Sequence, residues 1–307
     1  MVGPAPRSIW YDSLKRLIRN RAAVMGAIIL IILTGIAIFA PLIAPHPFDE
    51  GNFLHNYAAP SREFPLGADF LGRDLLSRLI YGTRISLTIG FLGAFFAFSI
   101  GLTYGTISGY FGGWIDGFLM RLVDILYAFP SLLFIILLMV TFKAGLGATV
   151  IRNPFVQTIA KLDTAFGGML LIVVGISLTS WVGMARLTRG MALSLRESDF
   201  VHAAQALGAR DIRVIWYHVV PNLIGPLLVR VTLAIPQFIA TEAFLSFIGL
   251  GANPPTPSWG IMIAEGFKAM RSHPHLAIYP GLALAIVMFA FNFLGDGLRD
   301  AFDPRFN

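Results

Sequence analysis

Long stretches without a charged residue constrain this sequence more than any other feature. One charge-free stretch runs from Ala22 to Pro45, and another runs from Ile85 to Ile115. A helix needs about 20 apolar residues to cross roughly 30 Å of hydrocarbon. Six segments meet this requirement, at residues 23–44, 86–108, 122–142, 167–186, 225–250 and 276–295. The pattern therefore predicts an all-α, polytopic membrane protein with six transmembrane helices.

The composition favours the same class of protein. Of the 307 residues, 56% are hydrophobic and only 13% are charged, whereas soluble domains carry about 25% charged residues. The sequence contains no cysteine, which excludes disulfides, thiolate nucleophiles and cysteine-based metal sites. The net charge of +6 comes without a basic face interleaved with aromatic residues, so no nucleic-acid partner is expected.

The distribution of Lys and Arg predicts the orientation of the spans. If the N-terminus lies inside, the outer segments hold Arg62, Arg73, Arg78, Arg84, Lys143, Arg152, Lys161, Lys268 and Arg271. The inner segments hold the rest of the 23 Lys and Arg residues, including Arg7 and Arg305, with Arg230 near the inner end of the fifth span. Cytoplasmic loops carry the excess of positive charge. Both termini of this cell-membrane (inner-membrane) protein are therefore expected in the cytoplasm.

The first apolar segment and the stretch that follows it are expected to remain in the mature protein. Signal peptides have apolar cores of about 7–15 residues and a small-residue cleavage site. The segment from Ala22 is longer and ends in Ala44-Pro45, which favours an uncleaved span. Residues 45–84 then form the longest outer stretch. Its four prolines predict a mostly irregular structure.

The loop between the fourth and fifth spans, residues 197–222, is expected to contain two short helices. Ser198 or Asp199 should cap the first helix by accepting backbone N–H bonds. Gly208 should end it in the left-handed region. Asp211 should cap the second helix, and Pro221 should close it, because a proline cannot continue the hydrogen-bond ladder.

One face of the first short helix is predicted to carry Phe200, Ala203, Ala204 and Leu207. Periodicity alone favours the interpretation that such helices lie on a membrane surface. The residue pattern favours another role. It resembles the cytoplasmic Glu-Ala-Ala loop of ABC-importer permeases, which continues with a glycine and ends in a proline. The pattern stands here as His202-Ala203-Ala204, Gly208 and Val220-Pro221-Asn222, with His202 at the position of the usual Glu.

Other segments are similar to the dipeptide, oligopeptide and nickel permeases in their second-subunit form. They occur in the family's order along nearly the whole chain. They are Pro65-Leu66-Gly67-Ala68-Asp69-Phe70-Leu71-Gly72-Arg73-Asp74, Gly109-Tyr110-Phe111-Gly112-Gly113-Trp114 with Asp116 and Arg121, Glu242-Ala243-Phe244-Leu245-Ser246-Phe247-Ile248-Gly249-Leu250-Gly251, and Asn292-Phe293-Leu294-Gly295-Asp296-Gly297-Leu298-Arg299-Asp300 followed by Asp303-Pro304-Arg305.

The resemblance implies a type I ABC importer permease fold (MetI-like) and a set of partners. The expected partners are a homologous second permease, two ABC ATPase subunits, an extracytoplasmic substrate-binding protein and membrane lipid. The expected divisions are a cytoplasmic N-terminal segment (1–22), the first transmembrane helix (23–44), an outer loop (45–84), the permease domain (85–296) with its coupling loop (197–222) and a cytoplasmic tail (297–307). The residues expected to form the ATPase-coupling surface are His202, Ala203, Ala204, Gly208, Asp211, Pro221 and Asn222.

The chain is expected to carry no catalytic residues and no ATPase site of its own. A P-loop places Gly-Lys-Ser or Gly-Lys-Thr after a glycine-rich turn, and none of the lysines follows a glycine. ATP and Mg²⁺ are therefore expected on the partner ATPases, with no cofactor in this chain. His273 and His275 alone are a weak metal signal, so no metal site is predicted.

Two charged residues lie inside the fifth predicted span. Each of Arg230 and Glu242 would cost about 2.5–3.5 kcal/mol at a bilayer centre. They are too far apart along a helix to pair with each other. Arg230 is expected to reach the inner headgroups. Glu242 is expected to face the bundle interior and to pair with another span or with the second permease. Both residues are candidates for a buried polar group or for part of the translocation path.

The sequence favours an ATP-driven importer permease for dipeptides or oligopeptides. Nickel complexes and oligosaccharides remain alternative cargoes for the same role. A secondary transporter driven by protons or sodium is the alternative from another class, and it would need buried carboxylates and broken helices near the midplane. Glu242 is the one acidic residue predicted well inside a span, which weakens that alternative.

Overall fold

The computed structural model describes residues 9–147 and 154–302, which are mainly helical. Arg7, Arg152 and the Asp303-Pro304-Arg305 motif lie outside the described residues. The helices are α1 (Ile9–Arg19), α2 (Arg21–Ile38), α3 (Ala40–Ile43), α4 (Leu75–Phe111), α5 (Gly113–Ala128), α6 (Ser131–Gly147), α7 (Pro154–Ala165), α8 (Leu170–Arg196), α9 (Asp199–Ala206), α10 (Asp211–Val214), α11 (Val220–Phe247), α12 (Trp259–Lys268) and α13 (His275–Phe302). A π-helical turn, Ile215–Val219, joins α10 to α11.

The long helices agree with six spans. Among the described residues, α2, α4, α8, α13 and the stretch Asp211–Phe247 are long and apolar enough to cross a membrane. A sixth span results if α5 and the first part of α6 are counted together, since they form a bent pair. Five of the six predicted spans therefore correspond to single helices and the third corresponds to this bent pair, whereas several of the predicted boundaries differ.

The second span is longer than predicted. Helix α4 begins at Leu75, so the outer stretch assigned to residues 45–84 is irregular only as far as residue 74. Asp74 starts the helix, because its carboxylate accepts hydrogen bonds from the Ser77 backbone N–H at 2.8 Å and from the Ser77 hydroxyl at 2.6 Å. Arg78, predicted in the loop, is a buried residue of the first helical turns.

The third span is not a single straight helix. The prediction of one helix over residues 122–142 is wrong, because α5 and α6 meet at an angle of 77°. Pro130 has no backbone N–H, and it disfavours the α conformation in the residue before it. Phe129 accordingly has an extended backbone, with φ −89° and ψ 131°. The proline therefore breaks the span in its middle.

The fourth span is also longer than predicted at its C-terminal end. Helix α8 continues to Arg196 instead of ending at residue 186. Arg186 and Arg189 are therefore residues of α8, not loop residues, and each is partly exposed. Their carboxylate partners on α5 satisfy the guanidinium groups, which explains how two arginines fit within this helix.

Helix α4 is the centre of the bundle. It packs against α8, α11 and α2, while α13 packs against α2, α11 and α12. The ends of α4 and α8 at Phe111 and Arg196 lie on one side of the bundle, which carries residues 197–222. We call that side the elbow end. The loop at residues 45–74 and helix α12 lie at the opposite end.

A row of glycines lets α4 and α8 approach each other closely. Gly101, Gly105 and Gly109 are spaced by four residues and lie on the face of α4 that meets α8. A Cβ at Gly101 would lie 2.5 Å from the Met184 Cβ, and one at Gly109 would lie 2.5 Å from the Arg189 carbonyl oxygen. Such small-residue rows allow transmembrane helices to pack at short distance without a hydrophobic driving force.

Gly105→Ala is expected to destabilise the protein. Its added methyl group would overlap the backbone carbonyl of Ala185, an atom that cannot move away as a flexible side chain could. Overpacking of this kind costs about 1–3 kcal/mol. Thermal unfolding of the purified protein should show a lowered Tm. Gly35→Ala is the matched control, because a Cβ there meets no neighbouring atom. Equal melting temperatures for the two variants would contradict the close packing of α4 and α8.

Candidate functional site

The segment at residues 197–222, which we call the elbow, forms a helix, a glycine turn and a second helical stretch. Helix α9 ends in the paired hydrogen bonds of a Schellman motif. The Ala209 N–H donates to the Ala204 carbonyl at 3.0 Å, and the Gly208 N–H donates to the Gln205 carbonyl at 2.9 Å. Gly208 has a φ of +84°, the left-handed region that glycine adopts without strain. The predicted glycine turn is confirmed.

The predicted caps of the two elbow helices are wrong. Ser198 occupies the first cap position, but its hydroxyl donates to the Leu195 carbonyl and accepts no bond from the helix it precedes. Asp199 is already helical. The second helix likewise begins at Asp211, so Arg210 occupies its cap position. Neighbouring groups compete for these side chains, which is why the local pattern did not find their partners.

Pro221 does not close the second elbow helix, contrary to the prediction. It lies in the first turn of α11, and the helical path continues from α10 through the π turn into the fifth span. A first-turn position needs no N–H donor, so proline is tolerated there. The wider π turn just before it accommodates the interruption in the hydrogen-bond ladder. Beside it, the exposed Asn222 side chain donates to the His218 carbonyl at 2.7 Å.

The elbow has one inward face and one outward face. Val201, Ala204, Val214 and Val219 are buried in the main apolar core of the bundle. The four residues predicted to share one face of α9 therefore do not do so. Ala204 is buried, whereas Phe200, Ala203 and Leu207 are exposed. His202 is exposed as well, 4.0 Å from the exposed Glu197 carboxylate.

The outward face of the elbow is apolar. Its large side chains are highly exposed, at 89% for Leu207, 69% for Ile212, 58% for Trp216 and 74% for Tyr217. Clustered exposed apolar side chains of this kind mark surfaces that contact another protein or a membrane. The sequence pattern singled out the small residues of the elbow and missed Ile212, Trp216 and Tyr217 as surface groups.

A buried tyrosine ties the elbow to the end of α4. The Tyr110 hydroxyl donates to the Asp211 carboxylate at 2.9 Å and accepts from the Gln205 side-chain amide at 3.2 Å. Tyr110 is only 4% exposed, so its ring is fixed by packing. One side chain thereby links both short helices of the elbow to the central helix. Asp211, predicted as a cap, has this tethering contact instead.

A second polar cluster fixes α5 against α8 near the elbow. Asp116 accepts two hydrogen bonds from the Arg189 guanidinium and one from the Ser108 hydroxyl, each at 2.5 Å. Two parallel bonds between arginine and a carboxylate define both distance and orientation. Asp116 and Arg189 are 73 positions apart in the sequence, so local pattern could not identify the pair.

Glu242 is enclosed within the bundle, as predicted. It is fully buried, and it accepts hydrogen bonds from the hydroxyls of Ser246 at 2.6 Å and Ser86 at 3.1 Å. The two serines lie on α11 and on α4, so the expected contact of Glu242 with another span is present. Arg230 is exposed on the surface of α11, well separated from Glu242 along the helix, so it is not a buried polar group.

At the opposite end, four charged side chains form a network that sequence reasoning missed. Arg73 donates to Asp69 at 2.7 Å, and Arg78 donates to Glu265 at 2.6 Å and also to Asp69. Arg73 further contacts Glu265 at 3.3 Å. The network joins the irregular loop, the start of α4 and α12. The quoted loop motif contains two members, Asp69 and Arg73, whereas Arg78 lies on α4 and Glu265 comes from a distant segment.

The comparisons with known proteins agree with this architecture. Residues 101–307 match the family described as binding-protein-dependent transport system inner membrane component. Residues 8–60 match the N-terminal TM domain of oligopeptide transport permease C.

Individual relatives match nearly the full length. The chain is 40% identical over 298 residues to the oligopeptide transport system permease protein OppC of Bacillus subtilis, covering 97% of this chain and 90% of the relative. It is 38% identical to the dipeptide transport system permease protein DppC of the same organism, covering 96% and 85%. Against OppC of Escherichia coli K12 it is 40% identical, covering 97% and 92%.

A solved structure shows the same fold at low sequence identity. A chain of the MetNI methionine ABC transporter, in an inward facing conformation, superposes with a TM-score of 0.56 and 16% identity. The match covers 74% of this chain and 97% of that chain. This likeness shows a MetI-like type I importer fold, as predicted.

Tyr110→Phe is expected to loosen the elbow. The variant keeps the ring but removes the hydroxyl that bonds Asp211 and Gln205, and a hydrogen bond to a charged group contributes about 1.5–3 kcal/mol. Hydrogen exchange should therefore become about tenfold faster or more for backbone amides in residues 199–214. Tyr217→Phe is the matched control, since Tyr217 is 74% exposed. Unchanged exchange in the Tyr110 variant would show that its hydroxyl does not hold the elbow.

Proposed function

Because this chain belongs to the family of binding-protein-dependent transport system inner membrane components, we propose that it conducts peptides across the membrane as one permease subunit of an ATP-driven importer. The assignment of peptides as the cargo rests on similarity to permeases named for oligopeptide and dipeptide transport. The identity is 38–40% over nearly the whole chain. The proposed role requires no catalysis by this chain, because the chain forms part of the translocation path for the peptide.

The proposed assembly contains partners that supply what this chain lacks. A homologous second permease would complete the path, and an extracytoplasmic binding protein would deliver the peptide. Two ABC ATPase subunits would bind ATP and Mg²⁺, one on each permease. Both termini and the elbow would then face the cytoplasm, which is the orientation that the Lys and Arg distribution favours.

The elbow is proposed as the docking surface for one ATPase. Its exposed apolar side chains, Leu207, Ile212, Trp216 and Tyr217, offer contact area to a soluble partner. The small exposed residues around them, such as Ala203 and Gly208, allow that partner to approach the backbone. His202, Pro221 and Asn222 are exposed on the same segment and belong to the proposed surface.

The connection of the elbow to the spans supports a mechanical role. Helix α10 continues through the π turn into α11, and α9 follows directly on α8. A displacement of the docked ATPase would therefore move the fourth and fifth spans together. Tyr110 would carry the same displacement to α4 through Asp211 and Gln205. Alternate opening of the path to the two sides would follow from this motion.

Transport by the reconstituted complex tests the proposed cargo. The permease pair, both ATPases and the binding protein would be placed in liposomes with ATP inside. Import of a radiolabelled tripeptide is expected, while nickel chelates and oligosaccharides should accumulate no faster than in liposomes without ATP. ATP-dependent accumulation of nickel or an oligosaccharide without accumulation of the peptide would overturn the assignment.

Gly208→Val is expected to uncouple transport from ATP hydrolysis. An added Cβ meets no neighbouring atom at this position, but the left-handed conformation costs a non-glycine residue about 1–2 kcal/mol, and more with a branched Cβ. The turn should therefore change shape while the membrane helices remain assembled. The ATPase activity of the complex should no longer rise on addition of the peptide-loaded binding protein.

The control for this experiment is Gly35→Val on α2, where a Cβ also meets open space and the backbone is helical. It should retain normal stimulation of ATP hydrolysis. Copurification of both variants with the ATPases would establish that assembly is intact. Wild-type stimulation in the Gly208 variant would refute the role of the elbow turn.

A further inference from the structure

An exposed ion pair lies on the surface between α5 and α8. Arg186 donates to the Asp124 carboxylate at 2.6 Å, and its guanidinium carbon lies 4.1 Å from the centre of the Tyr127 ring. Both side chains are accessible to solvent from the outside of this subunit, since Arg186 is 37% exposed and Asp124 is 62% exposed. The Asp124 carboxylate is much more exposed than that of Asp116, which is 13% exposed.

Both members of the pair lie several helical turns from the elbow end. Arg186 lies about 15 Å along α8 from the helix end at Arg196, at 1.5 Å per residue. Asp124 lies about 16 Å along α5 from the helix start at Gly113. Each distance is about half of the roughly 30 Å thickness of a hydrocarbon core. Charges within membrane-spanning segments almost always face a bundle interior or a water-filled cavity, not lipid.

A groove of about 620 Å³ begins next to the ion pair. The break between α5 and α6 forms one wall, and the middle of α8 forms the other. The lining is mixed, with hydroxyls and aromatic rings contributed by Tyr127, Ser131, Phe134, Thr179, Ser180 and Trp181. Its volume lies within the range of about 300–1,000 Å³ that is usual for small-molecule sites.

Besides the ion pair, the helix break at Pro130 is a second feature that indicates a polar environment in the groove. Helix breaks at membrane depth occur where the backbone is buried in protein or lines a water-filled cavity, because lipid cannot satisfy free backbone groups. Pro130 and Ser131 are exposed in this subunit and line the groove. A break within a candidate spanning pair of helices and an exposed ion pair thus border the same concave surface.

We propose that this groove is a wall of the water-filled path through the importer, and that the Asp124–Arg186 pair binds the charged ends of the passing peptide. The proposal rests on the proposed function. A peptide carries one ammonium and one carboxylate group, which are the counter-charges that Asp124 and Arg186 require. Exchange of the internal pair for two pairs with the peptide leaves every charge compensated. The arginine fork can bind a carboxylate through two bonds, and the aromatic rings can contact side chains of varied shape.

A single cysteine provides the first test, because the native sequence contains none. Ser131→Cys would be treated, in the assembled transporter in lipid nanodiscs, with a positively charged methanethiosulfonate, and labelling of this chain would be followed by intact mass. The thiol is expected to react, and trialanine with free termini should slow the reaction. Ile31→Cys is the matched control. It is 70% exposed on α2, where the proposal places lipid, and it should not react.

Each outcome decides the proposal. An unreactive Ser131→Cys in the assembled transporter would overturn it, because lipid or the second permease would then cover the groove. Labelling that trialanine does not slow would overturn the assignment of the peptide as occupant. Failure of the proposed function is detected separately, because the wild-type complex would then import no tripeptide in liposomes, whatever the reactivity of Ser131→Cys.

Charge removal provides the second test. In the Ser131→Cys background, Arg186→Gln should raise the trialanine concentration that halves the labelling rate by about tenfold, because the peptide carboxylate loses its charged partner. The same substitution should leave protection by trialanine amide unchanged, since that peptide has no carboxylate. Arg186→Lys should restore part of the difference. An equal shift for both peptides would indicate a purely structural role for Arg186 and would overturn its role in binding.

Discussion

The close packing of α4 against α8 is the contact on which the rest of the structure depends. Gly101, Gly105 and Gly109 allow the two backbones to approach, and a larger side chain at any of them would meet α8. This contact fixes the end of α4 beside the end of α8. Tyr110 can then reach the elbow, and Asp116 can reach Arg189. The elbow is therefore held in place by a helix contact that begins deep in the membrane.

Charge is used differently in three regions of the molecule. The network of Asp69, Arg73, Arg78 and Glu265 is largely buried and joins the outer loop to α12. Breaking one member of such a network would leave an uncompensated buried charge, which is strongly destabilising. The Asp116–Arg189 pair fixes two helices near the elbow. In the Asp124–Arg186 pair the carboxylate itself is exposed, at 62% against 13% for Asp116, and this exposure led to its proposed role.

The local sequence pattern could predict those features of the elbow that depend only on backbone conformation. The glycine turn was predicted correctly, because only glycine enters the left-handed region without strain. The caps were predicted wrongly, since Leu195 and Tyr110 compete for the side chains of Ser198 and Asp211. Pro221 was assigned to a helix end, but its neighbours form a π turn that lets the helix continue. Pro130, placed in the middle of a predicted helix, does break it.

The sequence by itself determined the class of the protein and the number and order of its spans. The reason is physical and local: each span must be long and apolar enough to cross the hydrocarbon, whatever surrounds it. Only the tertiary structure decided which charged groups meet, because Arg73 and Glu265 are separated by 192 positions. It alone also showed which carboxylate partners of the arginines are buried and which are exposed, since exposure depends on how neighbouring helices pack and not on the order of residues within any one of them.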